Sequence, residues 1–147
     1  MKKHLLWLSV MFALVIAASY QQQVGELINP EKPVTKDISL AVYAGSNYNS
    51  KIYDESVAKL HVTVYKVRGK KESIVWQKSF DAMELKELPD CSNALSQEVR
   101  ISNVFDKKEQ LIVTYTLVYE SKGSIVERYN GSLVGKGKNA EKLYINI

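Results

Sequence analysis

Side chains able to do covalent or acid–base chemistry are few in this sequence. It holds two histidines and one cysteine, and the histidine at position 4 falls in an apolar leader. Any histidine-based mechanism therefore runs through His61. A Ser-His-acid arrangement can be written around it, since serines and carboxylates are plentiful, but no Gly-x-Ser-x-Gly elbow is present to hold a nucleophile on a strained turn. His61 falls between Leu60 and Val62 in strand periodicity and reads as an outward-facing strand residue. Cys91 follows Pro89-Asp90, so its thiol is expected to be partly exposed; a dyad with His61 would need a lowered thiol pKa that residue types alone do not supply.

Metal and phosphate chemistry fare no better. A structural zinc site takes about four His or Cys ligands, and with His4 set aside two such residues remain. The nearest approach to a calcium loop is Asn47 and Asn49 beside Asp54 and Glu55, which lacks the regular spacing around a glycine. Gly135-Lys136-Gly137-Lys138 has neither the spacing nor the following helix of a phosphate loop. Asp81, Glu84 and Glu87 share a helical face by spacing, as a solvated first turn would. The expectation is a non-enzymatic protein with no catalytic set, no metal and no cofactor.

Tyrosine is the one excess, with nine in the chain. Most suit a pleated sheet. Tyr48 and Tyr53 differ, because they fall in the polar stretch Ser46-Asn47-Tyr48-Asn49-Ser50-Lys51-Ile52-Tyr53, where an aromatic ring is placed to meet a partner or a sugar. They define an alternative ligand loop, of the kind a carbohydrate-binding or adhesin-like accessory module would use.

The elements that position these residues begin after a leader. Met1-Lys2-Lys3 is followed by an apolar run from Leu5 to Ala18, and small residues at Ala17 and Ser19 precede a polar stretch. That order is a secretory signal, residues 1–19, cleaved near Ser19. The run is shorter than the ~20 apolar residues that span a bilayer, so no stable membrane anchor is expected. The destination is the periplasm or the cell exterior. A lone cysteine, Cys91, can form no disulfide within the chain, so a hydrophobic core must hold the domain. The formal charge of +4 is small and dispersed, and it points away from nucleic acid.

Residues 20–37 are polar and contain Pro30 and Pro33, which reads as an extended lead-in to a domain at 38–147. Apolar residues then recur with period two. Strands are predicted at 38–44, 58–67, 73–80, 97–104, 110–120, 124–134 and 142–147, and Asp81-Ala82-Met83-Glu84 has the form of a capping box opening one short helix. The fold class is all-β, an antiparallel immunoglobulin-like or fibronectin-like sandwich of about seven strands. Turns at 68–72 and 121–123 each offer a glycine for a hairpin. On the first hairpin Leu60, Val62, Val64 and Trp76 are expected in the core, which leaves His61, Thr63, Tyr65 and Gln77 outside. Lys66 and Lys78 run beside them, so His61, Tyr65, Lys66, Gln77 and Lys78 form the candidate partner-binding face.

Four strand segments, Leu60-His61-Val62-Thr63-Val64-Tyr65-Lys66-Val67, Val75-Trp76-Gln77-Lys78-Ser79-Phe80, Val99-Arg100-Ile101-Ser102-Asn103 and Leu111-Ile112-Val113-Thr114-Tyr115, follow one another with a basic turn, a short connection and a charged turn between them. In this order and in size the chain resembles the periplasmic curli-subunit chaperones. One branch of that family carries Cys-x-Cys where this chain has Lys59-Leu60-His61, so the resemblance implies no redox role here. It does imply a protein partner, an exported amyloid-fibre subunit held unassembled by transient contacts. The oligomeric state is left open.

Overall fold

The alternation that begins before residue 38 is the first thing the computed structural model, which describes residues 30–147, adds to the sequence. Strand β1 spans Val34–Tyr43, so the last four residues of the expected lead-in already belong to it. Lys36, Ile38, Leu40 and Val42 are buried in alternation, so a lysine occupies the first position of an otherwise apolar inward row. The leader at 1–19 and most of the lead-in, 20–29, lie outside the described residues.

All seven predicted strands are present: β1, β2 (Val57–Arg68), β3 (Lys71–Ser79), β5 (Leu95–Val104), β6 (Gln110–Ser121), β7 (Ser124–Leu133) and β8 (Ala140–Asn146), with a two-residue β4 at Met83–Glu84. They form two sheets. One has the order β5-β1-β8, the other β3-β2-β6-β7 with β4 paired to the start of β2. The core between them joins Ile38, Leu40, Val42, Val99, Ile101 and Ile145 of the first sheet to Ala58, Leu60, Val62, Val64, Val113 and Leu117 of the second. Each such side chain, taken out of water, contributes roughly 1.5–3 kcal/mol for its larger members. The all-β sandwich is therefore the fold.

Three local features differ from the reading of the sequence. The segment at 81–84 is not a helix. Met83 and Glu84 pair with Ala58 and Val57, Leu85 donates its N–H to Ser56 O and buries its side chain, and the helical turn comes one step later as a 3₁₀ turn at Leu85–Glu87. Burial of Leu85 outweighs the local capping preference of Asp81. A second 3₁₀ turn, Cys91–Asn93, carries the real cap: Asp90 Oδ1 accepts from the N–H groups of Ser92 and Asn93, each at 3.0 Å. Finally, β8 runs parallel to β1, Leu40 standing beside Leu143, while every other pairing is antiparallel.

Both hairpin turns form where glycine allows. Gly69 has φ 59° and closes Arg68 onto Lys71, and Lys122 and Gly123 have φ 48° and 80° and close Ser121 onto Ser124. Asn130-Gly131, which has the look of a turn in the sequence, is instead part of β7, with Gly131 opposite Thr114.

Candidate functional site

The four long strands of the second sheet, β3-β2-β6-β7, have one face in the core and one in solvent. Register fixes which residues share the solvent face. His61 lies between Thr116 on β6 and Ser79 on β3; Thr63 lies between Thr114 and Gln77; Tyr65 lies between Ile112 and Ile74. Strand β7 continues each row with Tyr129, Gly131 and Leu133 in turn. Three rows of side chains thus cross four strands, and the middle one ends on a glycine.

Where the row lacks a side chain the surface dips. A basin of about 630 Å³ lies over Gly131, Thr114 and Thr63, walled by Tyr65, His61 and Tyr129. A Cβ on Gly131 would meet Thr114 Cγ2 and Val113 O at an ordinary 3.6 Å, so the fold leaves room for a side chain that the sequence does not provide. Around the basin, Ile74 is 55%, Leu133 64% and Tyr129 75% exposed.

Two of the five predicted face residues do not belong here. Consecutive residues of a strand point to opposite faces, so Lys66 cannot accompany Tyr65, nor Lys78 accompany Gln77. Lys66 stands opposite Ser73, and its ammonium donates to Asn103 O at 3.2 Å and lies 3.8 Å from Glu109 Oε2. Lys78 stands opposite the buried Val62, donates to Gln97 Oε1 on β5 and lies 4.8 Å from the Phe80 ring centroid. Both lysines join the two sheets. His61, Tyr65 and Gln77 remain on the solvent face with Thr63, which the alternation also placed there, and they are joined by Thr114, Thr116, Tyr129 and Gly131, which the sequence reading missed.

His61 Nδ1 and Ser79 Oγ are 2.7 Å apart across β2 and β3, and both residues are exposed. This is a cross-strand polar pair on an open sheet face. Cys91 is exposed on its 3₁₀ turn, at the start of the chain segment leading into β5. Among the described residues no group of three or more His, Cys, Asp or Glu side chains converges as a metal set.

Tyr48 and Tyr53 come together as a second surface. Their rings meet edge-to-face with centroids 5.0 Å apart, and both are half-buried against the core. With Ile52, Tyr119, Val126 and Arg128 they line a groove of about 360 Å³. Burial pushes the Tyr48 hydroxyl above its ordinary value of 10.0, and the neighbouring Tyr119 adds to the shift. The 3₁₀ turn at Lys51–Tyr53 folds the loop back so that the rings pack on each other instead of standing free.

A search with the chain finds no matching family model, no matching curated protein and no matching solved structure.

Proposed function

We propose that this protein is an exported, non-enzymatic binding module that holds an extended segment of a protein partner on the solvent face of its β3-β2-β6-β7 sheet, as an assembly chaperone for a fibre-forming subunit would. The observation that carries the reading is the uncovered face itself. Tyr65, Tyr129, Ile74 and Leu133 alternate there with Thr63, Thr114, Thr116, His61 and Gln77 around the dip over Gly131. Exposed apolar and aromatic area of this kind marks interaction surfaces. Threonine hydroxyls and the imidazole add adaptable hydrogen bonding, and the open, shallow shape suits a chain lying across the strands rather than a small molecule enclosed in a pocket.

The deciding experiment fills the basin. Gly131→Val adds a β-branched side chain that the strand geometry accommodates, and Tyr65→Ala removes one wall. Together they should abolish any delay the parent imposes on fibre formation by a co-exported amyloid subunit, with the melting temperature nearly unchanged. Undiminished inhibition by the double variant, or no inhibition by the parent, overturns the reading.

The carbohydrate-binding alternative rests on the groove with Tyr48, Tyr53 and Arg128. It expects retardation of the parent in polysaccharide gels, lost on Tyr53→Ala.

A further inference from the structure

Strand β7 is an edge whose only charged side chains are one of each sign, Glu127 and Arg128. Its ten residues, Ser124-Ile125-Val126-Glu127-Arg128-Tyr129-Asn130-Gly131-Ser132-Leu133, are all exposed, and among the described residues the strand pairs with β6 alone. Edge strands are ordinarily kept from pairing with other chains by lysine, proline, a bulge or a covering element. The opposite edge of the same sheet has such devices: β3 carries Lys71 and Lys78, an extra residue at Val75 where its register with Val64 and Tyr65 of β2 shifts, and the Lys78 bridge to β5. β7 has no lysine, no proline and no register shift over its whole length.

The direction of its free backbone groups follows from the hairpin. A two-residue turn with positive φ at both Lys122 and Gly123 makes Ser121 and Ser124 a hydrogen-bonded pair, and such pairs then recur at every second residue. Val126, Arg128, Asn130 and Ser132 therefore bond to β6. Ile125, Glu127, Tyr129, Gly131 and Leu133 aim their N–H and C=O groups away from it. The Gly131 N–H agrees with this phase, since it donates at 2.8 Å to the side-chain Oδ1 of Asn130 and not to β6, an exposed local bond that a pairing strand would replace.

We infer that the occupant of this edge is β7 of a second copy of the chain, antiparallel and centred on Tyr129. That register is self-complementary. On the solvent face Tyr129 meets its own counterpart, Glu127 meets Gly131 and Ile125 meets Leu133, the last pair being two apolar side chains each 64% exposed in the single chain. On the other face Arg128 meets Asn130 and Val126 meets Ser132. No like charges face each other. Moving the centre to Arg128 or to Glu127 sets two arginines or two glutamates directly opposite, and moving it to Asn130 sets Leu133 against Glu127. Cross-strand pairs of apolar residues stabilise a register and like-charge pairs disfavour it, and centres nearer the strand's ends, at Gly131 or Val126, pair only residues 129–133 or 124–128 where a Tyr129 centre pairs 125–133, so the Tyr129-centred register is selected. It joins the β3-β2-β6-β7 sheets of the two copies into one continuous sheet and places the two Gly131 basins side by side. This association does not depend on the partner-binding reading and has its own readout.

The test is the oligomeric state of residues 20–147 by analytical ultracentrifugation from about 10 µM to 1 mM, a range that brackets weak self-association. A monomer–dimer equilibrium is expected. Glu127→Pro removes an N–H that points away from β6 and is tolerated at an edge, together with the carboxylate that accepts from the Tyr129 hydroxyl; it should yield monomer, whereas Glu127→Gln, which keeps the N–H, should leave the dimer in place. Ile125→Glu and Leu133→Lys should each weaken the dimer at least tenfold, whereas the chain carrying both should recover it, because the substituted side chains face each other across the two-fold axis. A parent that stays monomeric throughout overturns the inference. A parent dimer that neither Glu127→Pro nor the single charge variants disturb, or that the double charge variant fails to restore, overturns it equally.

Discussion

Lys36 Nζ donates to Asp106 Oδ2 at 2.7 Å, to the carbonyl of Lys138 at 2.6 Å and to that of Gly135 at 3.3 Å, so a lysine that is 2% exposed has a partner for every ammonium proton. It ties the first strand to the β5–β6 turn and to the β7–β8 connection. The two ends of the pair are not equivalent. Asp106 retains 20% side-chain exposure, so water can reach the carboxylate but not the ammonium.

Removing one end should therefore cost more than removing the other. Asp106→Ala leaves a buried cation with two carbonyls and no counter-charge and should destabilise by about 3 kcal/mol. Lys36→Met replaces the cation with an apolar chain of similar reach and leaves a carboxylate that solvent can take up, so it should cost less. Urea unfolding of the two variants at neutral pH gives the comparison, and the opposite order would refute it.

Acid should remove what the Asp106 carboxylate contributes to the parent. Burial alone would push the Asp106 carboxyl up, but the hydrogen bonds from Lys36 and from the Gly137 N–H hold it below its ordinary value of 3.8. A folded-state pKa below the unfolded one adds stability that is fully present above 3.8 and is lost as the pH falls through the lower folded value. The stability gap between the parent and Asp106→Asn should be constant near neutrality and narrow as the pH falls below 3.8. A gap that instead widens in acid would reverse the sign of the argument.

Charge reversal at Lys78 should separate the two faces of the first hairpin. Lys78→Glu acts at the junction with Gln97 on β5, and as an exposed polar change it should alter stability by no more than about 1 kcal/mol and leave partner binding intact. Tyr65→Ala should do the reverse, weakening binding with little change in melting temperature. Equal loss of binding from both would place the partner on the sheet edge and not on its face.

The thiol of Cys91 is exposed, and the chain has no second cysteine. It should react with a thiol reagent in the native protein without prior unfolding. Melts of the monomer with and without reductant should superimpose, and a shift of several degrees would reveal a covalent modification at this position.

Processing near Ser19 remains the expectation from the leader. Mass spectrometry of exported protein should place the first residue between Ala18 and Gln23, and retention of Lys2 would overturn it.

Much of the sheet was legible because period two is a local signal. The row Leu60, Val62, Val64 needs no knowledge of distant chain, and neither does the Lys122-Gly123 turn. The same turn contained more than was taken from it: closing Ser121 onto Ser124 already places Thr116 beside Tyr129 and Thr114 beside Gly131. The grouping of Lys66 with Tyr65 and of Lys78 with Gln77 failed on the pleat alone, since neighbours in a strand cannot share a face. Lys36 was hidden for another reason. Its ion pair is with a residue far along the chain, and a lysine between prolines and polar residues gives no local sign of burial.

The parallel pairing of β1 with β8 bears on how the molecule is made. The second sheet is assembled largely from neighbours in sequence, through the β2–β3 and β6–β7 hairpins, whereas β1 is flanked by β5 and β8, and its contact with residues 140–146 spans most of the chain. Closing so long a loop is slow relative to hairpin formation. During synthesis or passage through a narrow channel, β1 must wait with an open side until β8 emerges, and Lys36 must wait for the carbonyls of Gly135 and Lys138. The order of emergence thus postpones closure of the core until the last strand is free to pair.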